Sequence, residues 1–557
     1  MADYAGAVAT APAPALPRVS QDVLRRWALW IPMAAILVGQ AALSIRLAQM
    51  STASGDEGRY IYAGHQLIHE LWHGGGSPYY ETFFSGAPVV YPVLAALADH
   101  MGGVVAVRLM SMAFMMTATC LLFGSGRRLF GYWAGIGAAG LFAGLGLTED
   151  LGALATHDAL ALMLTAVAAY CAVRTSDDEP HASRWLVLVP VALLAANAAK
   201  YATLLFDPVV IGIAACQISA SGWKRVATRI AALSATTGAV LLIAAFLAGR
   251  AYINGILFST LERKTGSSAV FAAQKVPPLT IMADSMSWVG VVIVLGTAGL
   301  LVAAWRREDR RRCAMLLALL VAAGVLVTVE DLRLHTVESM RKHDDIGIWF
   351  TCMAAGYLLA RPSALAVGRT ARHVLAAAVP VAVILSAAWY SPKAHSTYEA
   401  STSAERQSAF VTIKPYLELP HGRFLIGGLD NEQMVYTDGL SVPWYRLFDD
   451  VYIKYPVPGR GGDSHGQAQG RSCLRLRPGC MYLEGMAGFR AAIRAHWFAL
   501  ISMVGTHGIR QDAELEAAVR HDHDYTLLTQ VGGQPTWVYR PAYRNSGLPG
   551  IGPVSRR

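Results

Sequence analysis

The stretch DEGRYIYAGHQL, residues 56–67, closely follows an apolar run at 27–46 and opens with two adjacent carboxylates. An apolar run of that length is typical of a membrane-spanning helix. Carboxylates at the edge of the hydrocarbon layer are costly, and by default they indicate function. The order of these two features predicts a membrane protein whose chemistry lies near one end of its helices.

The composition agrees with this prediction. Of 557 residues, 54% are hydrophobic and 15% are charged, whereas soluble domains carry about 25% charged residues. A soluble cytoplasmic enzyme is therefore not expected, and nucleic-acid binding is not expected because no compact region is strongly basic. The sequence predicts a mostly α-helical, polytopic protein of about eleven transmembrane helices. Their predicted positions are 27–46, 103–123, 131–147, 158–173, 185–199, 203–219, 229–249, 286–305, 313–329, 346–361 and 373–390.

Orientation follows from the loop cations, because cytoplasmic loops are rich in Lys and Arg. With the N-terminus inside, the inner segments hold 18 Lys and Arg and the outer loops hold 9. We therefore expect a multi-pass protein of a bacterial inner membrane, with three parts. They are a disordered cytoplasmic segment at 1–25, a transmembrane domain at 26–390 and an extracytoplasmic α/β domain at 391–557.

The C-terminal segment has the pattern of a small α/β domain. Strands are predicted from Phe424 and at 498–504, a helix at 512–520, and a hairpin over 525–539. The Gly-rich stretch 456–470 predicts a loop. In an extracytoplasmic domain Cys473 and Cys480 are expected to form a disulfide, and two reduced thiols are the alternative.

Several short motifs share one order along the chain. After DEGRYIYAGHQL come GAPVVYPVLAAL at 86–97, VVAVRLMSMAF at 104–114, THDALALML at 156–164 and AANAAKYATLLFDPVV at 195–210. In this order the sequence resembles the GT-C superfamily of membrane glycosyltransferases, nearest to its protein-mannosyltransferase and aminoarabinose-transferase-like branch (families 39 and 83). The resemblance covers residues 20–220 well and is weak through the later helices.

The resemblance implies transfer of a sugar from a polyprenyl-phosphate donor to an extracytoplasmic glycan, lipid or protein, usually with inversion. Asp56 is the expected general base, and Glu57 and Asp158 are further catalytic candidates. The leaving phosphate needs cations or a metal. The outer-face candidates are Lys200, Arg263, Lys264, Arg341, Lys342 and His343. A divalent metal ion held by Asp56 and Asp158 is the alternative. Aromatic residues expected at the acceptor are Tyr60, Tyr91, Trp444 and Tyr445.

Two other classes stay open at this point. The stretch His69-Glu-Leu-Trp-His73 matches the H-E-x-x-H pattern of zinc metalloproteases, in which two His of one helical face bind the metal. An interfacial helix with hydrated His residues explains the same letters. A transporter or lipid flippase is the second alternative, although the chain has no internal repeat and its ionisable residues cluster at one face.

Overall fold

The computed structural model of the protein describes residues 30–48, 53, 55–74, 80, 84–218, 222–257, 276–305, 310–335, 337, 340–365, 413–417, 422–426, 446–448, 453–456, 482–503, 510–531 and 534–543. The predicted eleventh helix, 373–390, lies outside them, as does most of the predicted loop at 456–470. Outside them too are six residues predicted at functional or disulfide positions: Arg263, Lys264, Trp444, Tyr445, Cys473 and Cys480.

The described chain up to residue 365 is helical. Its helices are α1 (Ile31–Ala48), α2 (Gly55–His73), α3 (Tyr91–Phe130), α4 (Tyr132–Ala143), α5 (Gly146–Ala153), α6 (His157–Val173), α7 (Ala182–Ala199), α8 (Asp207–Cys216), α9 (Trp223–Ala248), α10 (Arg250–Leu257), α11 (Pro278–Trp305), α12 (Arg310–Leu334) and α13 (Met340–Leu365). A 3-10 helix, Tyr201–Phe206, joins α7 to α8. Each of the other ten predicted apolar segments coincides with a helix of this series.

Helix α3 is longer than its predicted segment. It has 40 residues and is kinked at Gly102 and Gly103, where the φ angle of Gly103 is 67°. Glycine adopts a positive φ without the steric cost that other residues meet. The predicted start at 103 coincides with this kink, and the preceding turns were missed because the polar pair Asp99-His100 interrupts the apolar pattern.

The helical region belongs to a multi-pass membrane protein. Among the described residues, six helices are long and apolar enough to cross a bilayer: α1, α3, α7, α9, α11 and α12. The pair α5 and α6, bent by 116°, makes a seventh if it forms one broken span. The prediction of a polytopic helical protein is confirmed, whereas the count of eleven spans stays a prediction.

Helix α13 lies at the centre of this region and packs against α4, α11 and α12. Trp349 and Phe350 are buried on it, and the Phe350 ring stacks on Phe206 with 5.9 Å between centroids. Where α13 meets α4, a Cβ added to Gly356 would lie 2.3 Å from the carbonyl oxygen of Ala134. Small residues allow membrane helices to approach this closely.

The C-terminal region contains strands and two helices. They are β1 (Phe424–Ile426), β2 (Leu447–Phe448), β3 (Lys454–Pro456), β4 (Tyr482–Glu484), α14 (Gly485–Arg494), β5 (Leu500–Ser502), α15 (Arg510–Arg520), β6 (Tyr525–Val531) and β7 (Gln534–Tyr539). Five strands form one sheet in the order β2-β1-β5-β7-β6, while β3 and β4 form an antiparallel pair. The central pairs β1–β2 and β1–β5 are parallel, and β7 runs antiparallel to both of its neighbours.

Buried side chains cover both faces of the five-stranded sheet. Phe424 packs on one face with Leu500, and Leu425 packs on the other with Phe489 of α14 and Ile501. This alternation is the two-residue period of a strand with both faces covered. The predicted strands, helix and hairpin are confirmed in the described residues, and the extracytoplasmic location of the domain stays a prediction.

The contact at Gly356 yields a stability prediction. We expect Gly356→Ala to destabilise the helical region by about 1–3 kcal/mol, because the new methyl group forces α4 and α13 apart. The measurement is the apparent melting temperature in detergent, followed by fluorescence-detected size-exclusion chromatography.

Gly39→Ala is the matched control, since an added Cβ there meets no atom within 4 Å. In a helix interior alanine is favoured over glycine by up to about 1 kcal/mol, so this variant should keep or raise the melting temperature. Equal melting temperatures for the two variants would contradict the assigned helix contact.

Candidate active site

Four charged side chains meet at the ends of four helical elements. Asp56 lies in the first turn of α2, Asp158 in the first turn of α6, Lys200 at the end of α7, and Lys342 in the first turn of α13. They form two ion pairs, Lys342 with Asp56 and Lys200 with Asp158. We call these four residues the charge quartet. All four were predicted from the sequence at functional positions.

The two pairs of the charge quartet differ in exposure. The side chains of Asp56 and Lys342 are 42% and 24% exposed, whereas Lys200 and Asp158 are buried. Each pair also acts electrostatically on the other. The Lys200–Asp158 pair is enclosed by protein, whereas the part-buried Asp56–Lys342 pair is open to solvent.

Electrostatics keep Asp56 ionised. The Lys342 ammonium beside it lowers the pKa of the Asp56 carboxyl below its usual range, against the opposing effect of burial. A carboxylate with a lowered pKa holds its charge but is a weak base while its cation stays in place. The basicity of Asp56 therefore depends on where the Lys342 side chain points.

Glu57 takes a different place from the one predicted for a catalytic carboxylate. It is fully buried, and Arg108 donates to both of its carboxylate oxygens at 2.9 Å. The backbone N–H of Ala155 also donates to Glu57, at 2.7 Å, and Arg108 donates to the carbonyl oxygen of Ala48 at 2.9 Å. Glu57 therefore connects α2 to α3 and to the segment before α6.

Helix α13 is anchored close to Lys342. Asp344 accepts a hydrogen bond from Ser285 of α11 at 3.1 Å, and Asp345 accepts one from Thr148 of α5 at 3.1 Å. Both carboxyl groups are buried. These contacts hold the first turn of α13 against two neighbouring helices, so they position Lys342 within the site.

An aromatic cluster lies beside the charge quartet. The Tyr60 ring contacts Tyr91, Phe84 and His157, with 4.6 Å between the Tyr60 and His157 centroids. The hydroxyl of Tyr91 lies 3.4 Å from that of Ser111. Tyr60 and Tyr91 were predicted to bind acceptor, but both are buried, so in this conformation they support the site and offer little surface to a substrate.

Two further predicted phosphate ligands, Arg341 and His343, lie on the same helix as Lys342. The guanidinium of Arg341 lies 5.6 Å from the Trp288 ring centre, a cation–π distance. His343 is half-buried one residue beyond Lys342. Sequence reasoning missed the Glu57–Arg108 pair. The one signal for it was the position of Arg108 inside an apolar helix, where a cation needs a buried anion beside it.

The predicted metal at Asp56 and Asp158 finds little support in the donor set. Each carboxylate has a Lys ammonium as its counter-ion. Within the described ranges, neither belongs to a set of three His, Cys, Asp or Glu side chains that converge on one point. The zinc-protease alternative also finds little support. His69 and His73 are exposed and stack at 4.5 Å, and no third ligand joins them among these residues.

Comparison with known proteins gives matches of two kinds. Residues 87–248 match the family model described as dolichyl-phosphate-mannose-protein mannosyltransferase, which covers α3 to α9. A search of curated proteins finds no matching sequence.

Among solved structures, ArnT from Cupriavidus metallidurans bound to undecaprenyl phosphate matches with a TM-score of 0.52 and 12% identity, over 92% of this chain and 98% of that one. The oligosaccharyltransferase AglB from Archaeoglobus fulgidus, in complex with an inhibitory peptide and a dolichol-phosphate, matches with a TM-score of 0.50 and 10% identity, over 93% and 75%. At these identities the likeness concerns the fold. It confirms the resemblance predicted from the sequence: the chain has the GT-C fold of these membrane glycosyltransferases.

Proposed function

We propose that the protein is a membrane glycosyltransferase that moves a sugar from a polyprenyl-phosphate donor to an acceptor hydroxyl on the extracytoplasmic side. The observation that carries this proposal is the charge quartet. It offers a carboxylate and a part-buried ammonium side by side, as base and phosphate ligand. The family model over 87–248, and the lipid phosphates present in the two similar structures, support the same chemistry.

Asp56 acts as the general base in this proposal. The acceptor oxygen attacks the anomeric carbon and gives its proton to the Asp56 carboxylate, while the bond from that carbon to the phosphate oxygen breaks. The sugar is thus transferred in one displacement, with inversion. The first turn of α2 presents Asp56 at the surface of the site, and the exposure of the carboxylate gives an acceptor access to it. General-base catalysis of this kind contributes about 10²–10⁴-fold in rate.

Lys342 is the cation for the leaving phosphate. The phosphodiester of the donor carries one negative charge, as a carboxylate does, and gains a second when its bond to the sugar breaks, so the donor competes with Asp56 for the Lys342 ammonium most strongly as the phosphate leaves. Binding of the donor then has two effects, because the phosphate gains a counter-ion and Asp56 loses the one that lowers its pKa. The base is thereby activated only when the donor is in place.

Asp158 and Lys200 form the inner wall of the proposed site. The oxygen Oδ2 of Asp158 is buried and accepts no hydrogen bond within the described residues. Buried polar atoms are nearly always satisfied, so this atom suits a hydroxyl of the bound sugar. Its charge also favours an oxocarbenium-like transition state. Lys200 is the counter-ion that makes burial of Asp158 tolerable.

Glu57 and Arg108 have a positioning role in this scheme. Their buried pair places the first turn of α2 beside α3, and so determines the direction of Asp56. Breaking a buried pair of this kind costs about 3–5 kcal/mol, because the remaining charge is uncompensated. Two adjacent carboxylates therefore have separate roles, with Asp56 in catalysis and Glu57 in structure.

The wider cellular assignment rests on the sequence pattern. In our proposal the N-terminus is cytoplasmic, and the C-terminal domain faces the extracytoplasmic side of a bacterial inner membrane, where it assists acceptor selection. The proposed disulfide between Cys473 and Cys480 belongs to that side. Labelling of intact cells at a cysteine introduced at position 462 tests the arrangement.

The proposed role of Asp56 as general base can be tested by substitution. Asp56→Asn should lower turnover by about 10²-fold or more, because the amide cannot take the acceptor proton. The melting temperature should stay close to the parent value, and donor binding should be kept or strengthened, because the amide competes less for Lys342. Transfer is measured with purified protein and radiolabelled polyprenyl-phosphate sugars.

Asp99→Asn is the matched control, since Asp99 is a carboxylate of the adjacent α3 that pairs with His65 outside the quartet. Glu57→Gln should instead lower the melting temperature, because it disrupts the buried pair with Arg108. Normal turnover in Asp56→Asn would overturn the assignment of the base.

The pH dependence of transfer tests the effect of Lys342 on Asp56. Lys342 lowers the pKa of Asp56, so Lys342→Gln should raise that pKa and move the acid limb of the kcat/KM profile to higher pH. The same variant should weaken donor binding, because the phosphate loses its counter-ion. The profile of kcat/KM against pH measures the free enzyme.

Lys224→Gln is the control, since Lys224 is an exposed lysine in the first turn of α9 and belongs to no pair of the quartet. An unchanged acid limb in Lys342→Gln would show that Asp56 does not titrate under the influence of Lys342. An acid limb shifted to lower pH would contradict the sign of the interaction.

A further inference from the structure

Three metal-binding side chains converge in the C-terminal domain, away from the charge quartet. His496 follows the end of α14, and Asp522 and Asp524 lie in the turn before β6. The His496 Nε2 atom lies 3.1 Å from Asp522 Oδ2 and 3.4 Å from Asp524 Oδ2. The three ligand atoms all lie within 4.8 Å of one another, and no other such group of three occurs in the described chain.

The separations match those between neighbouring ligands of one metal ion. Zinc binds imidazole nitrogen and carboxylate oxygen at about 2.0–2.2 Å, almost always in tetrahedral geometry in structural sites. Two ligands at that radius and at the tetrahedral angle lie about 3.3–3.6 Å apart. The two His496 distances, 3.1 and 3.4 Å, are therefore close to those that an ion would require, and all three ligand atoms lie within 4.8 Å of one another.

The surrounding residues restrain the ligands. The His496 ring stacks on Tyr539 of β7, with 4.5 Å between centroids and 13° between planes. The backbone N–H of Asp524 donates to Asp522 Oδ1 at 3.1 Å. Asp524 is itself 60% exposed, so the site is open to solvent on one side. On that side, water molecules could complete the ligands of a bound ion.

The charge balance favours a divalent cation. The two carboxylates carry two negative charges, and in the described part of the chain His496 is the one cation-forming side chain in ion-pair distance of them. The nearby arginines Arg490 and Arg520 are paired with Glu514 and Glu516 instead.

We propose that His496, Asp522 and Asp524 bind a divalent transition-metal ion of the zinc type. One imidazole and two carboxylates suit zinc or manganese better than the harder magnesium ion, which prefers oxygen ligands alone. The ion joins the end of α14 to the start of β6 and so stabilises the C-terminal domain. This metal takes no part in sugar transfer, and the inference does not rest on the proposed function.

Metal titration of the full-length, untagged protein in detergent tests the proposal. After dialysis against a chelator, zinc is added and counted by elemental analysis, and cobalt is used as a spectroscopic probe. We expect one zinc per chain, a rise in apparent melting temperature on addition of zinc, and the visible absorption of cobalt bound by nitrogen and oxygen. Magnesium should produce none of these changes.

Asp524→Asn is the decisive variant, because this side chain is exposed and its amide keeps the shape. It should weaken zinc binding by about 100-fold or more, since removal of a direct ligand exceeds the 10–100-fold cost of losing a supporting group. His496→Ala should act in the same way. His69→Ala is the control, because it removes the rival H-E-x-x-H ligand and should leave the zinc content unchanged.

Two results would overturn the proposal. Parent protein and Asp524→Asn could take up equal amounts of zinc, which would leave the cluster as an ion pair of protonated His496. Alternatively, His69→Ala could abolish zinc binding, which would move the metal to α2. Transfer activity is measured in parallel and should be equal in the parent protein and in Asp524→Asn.

Discussion

The cost of charge in apolar surroundings governs the architecture of this protein. A fully buried ion pair of Glu57 and Arg108 joins α2 to α3, and further hydrogen bonds connect it to Ala48 and Ala155. Neither charge is tolerable alone in a helical membrane region. Each therefore constrains the other, and four parts of the chain, α1, α2, α3 and the segment before α6, are held at one end of the helices.

The position of the candidate site follows from that constraint. Asp56 precedes Glu57 by one residue, so the helix turn that buries Glu57 directs Asp56 to the surface of the site. Lys342 meets it from α13, which is 286 residues away in sequence. The part-buried pair is open to water, so its partners can exchange more readily than those of the buried pair Lys200–Asp158. The buried pairs Glu57–Arg108 and Lys200–Asp158 thus surround Asp56 and Lys342, the pair to which we assign the reaction.

The C-terminal domain is held together by apolar packing, and most of its described ion pairs lie at its surface. Its sheet is covered by apolar side chains on both faces, and its helices carry ordinary surface pairs such as Arg490–Glu514. Surface pairs of that kind contribute little to stability. A cluster in which two carboxylates face a single histidine is different, since its charges are unbalanced. The two domains therefore use ionisable residues for separate purposes.

Much of this molecule could be predicted from its sequence. Apolar runs located ten helices because a bilayer requires some twenty apolar residues for each crossing, and the order of short motifs indicated the GT-C fold. All four members of the charge quartet were predicted too, because charged residues at the ends of apolar runs are conspicuous.

The separate roles of Asp56 and Glu57 were not predictable, since two neighbouring carboxylates look alike until Arg108 is placed beside one of them. Nor was the convergence of His496 with Asp522 and Asp524, because the turn before β6 reaches the end of α14 only through the pairing of β5, β6 and β7. Sequence patterns determine local structure and the side of the membrane boundary on which charge collects. Tertiary structure decides which charges are neighbours, because ion-pair energies depend on distance and burial, neither of which is local along the chain.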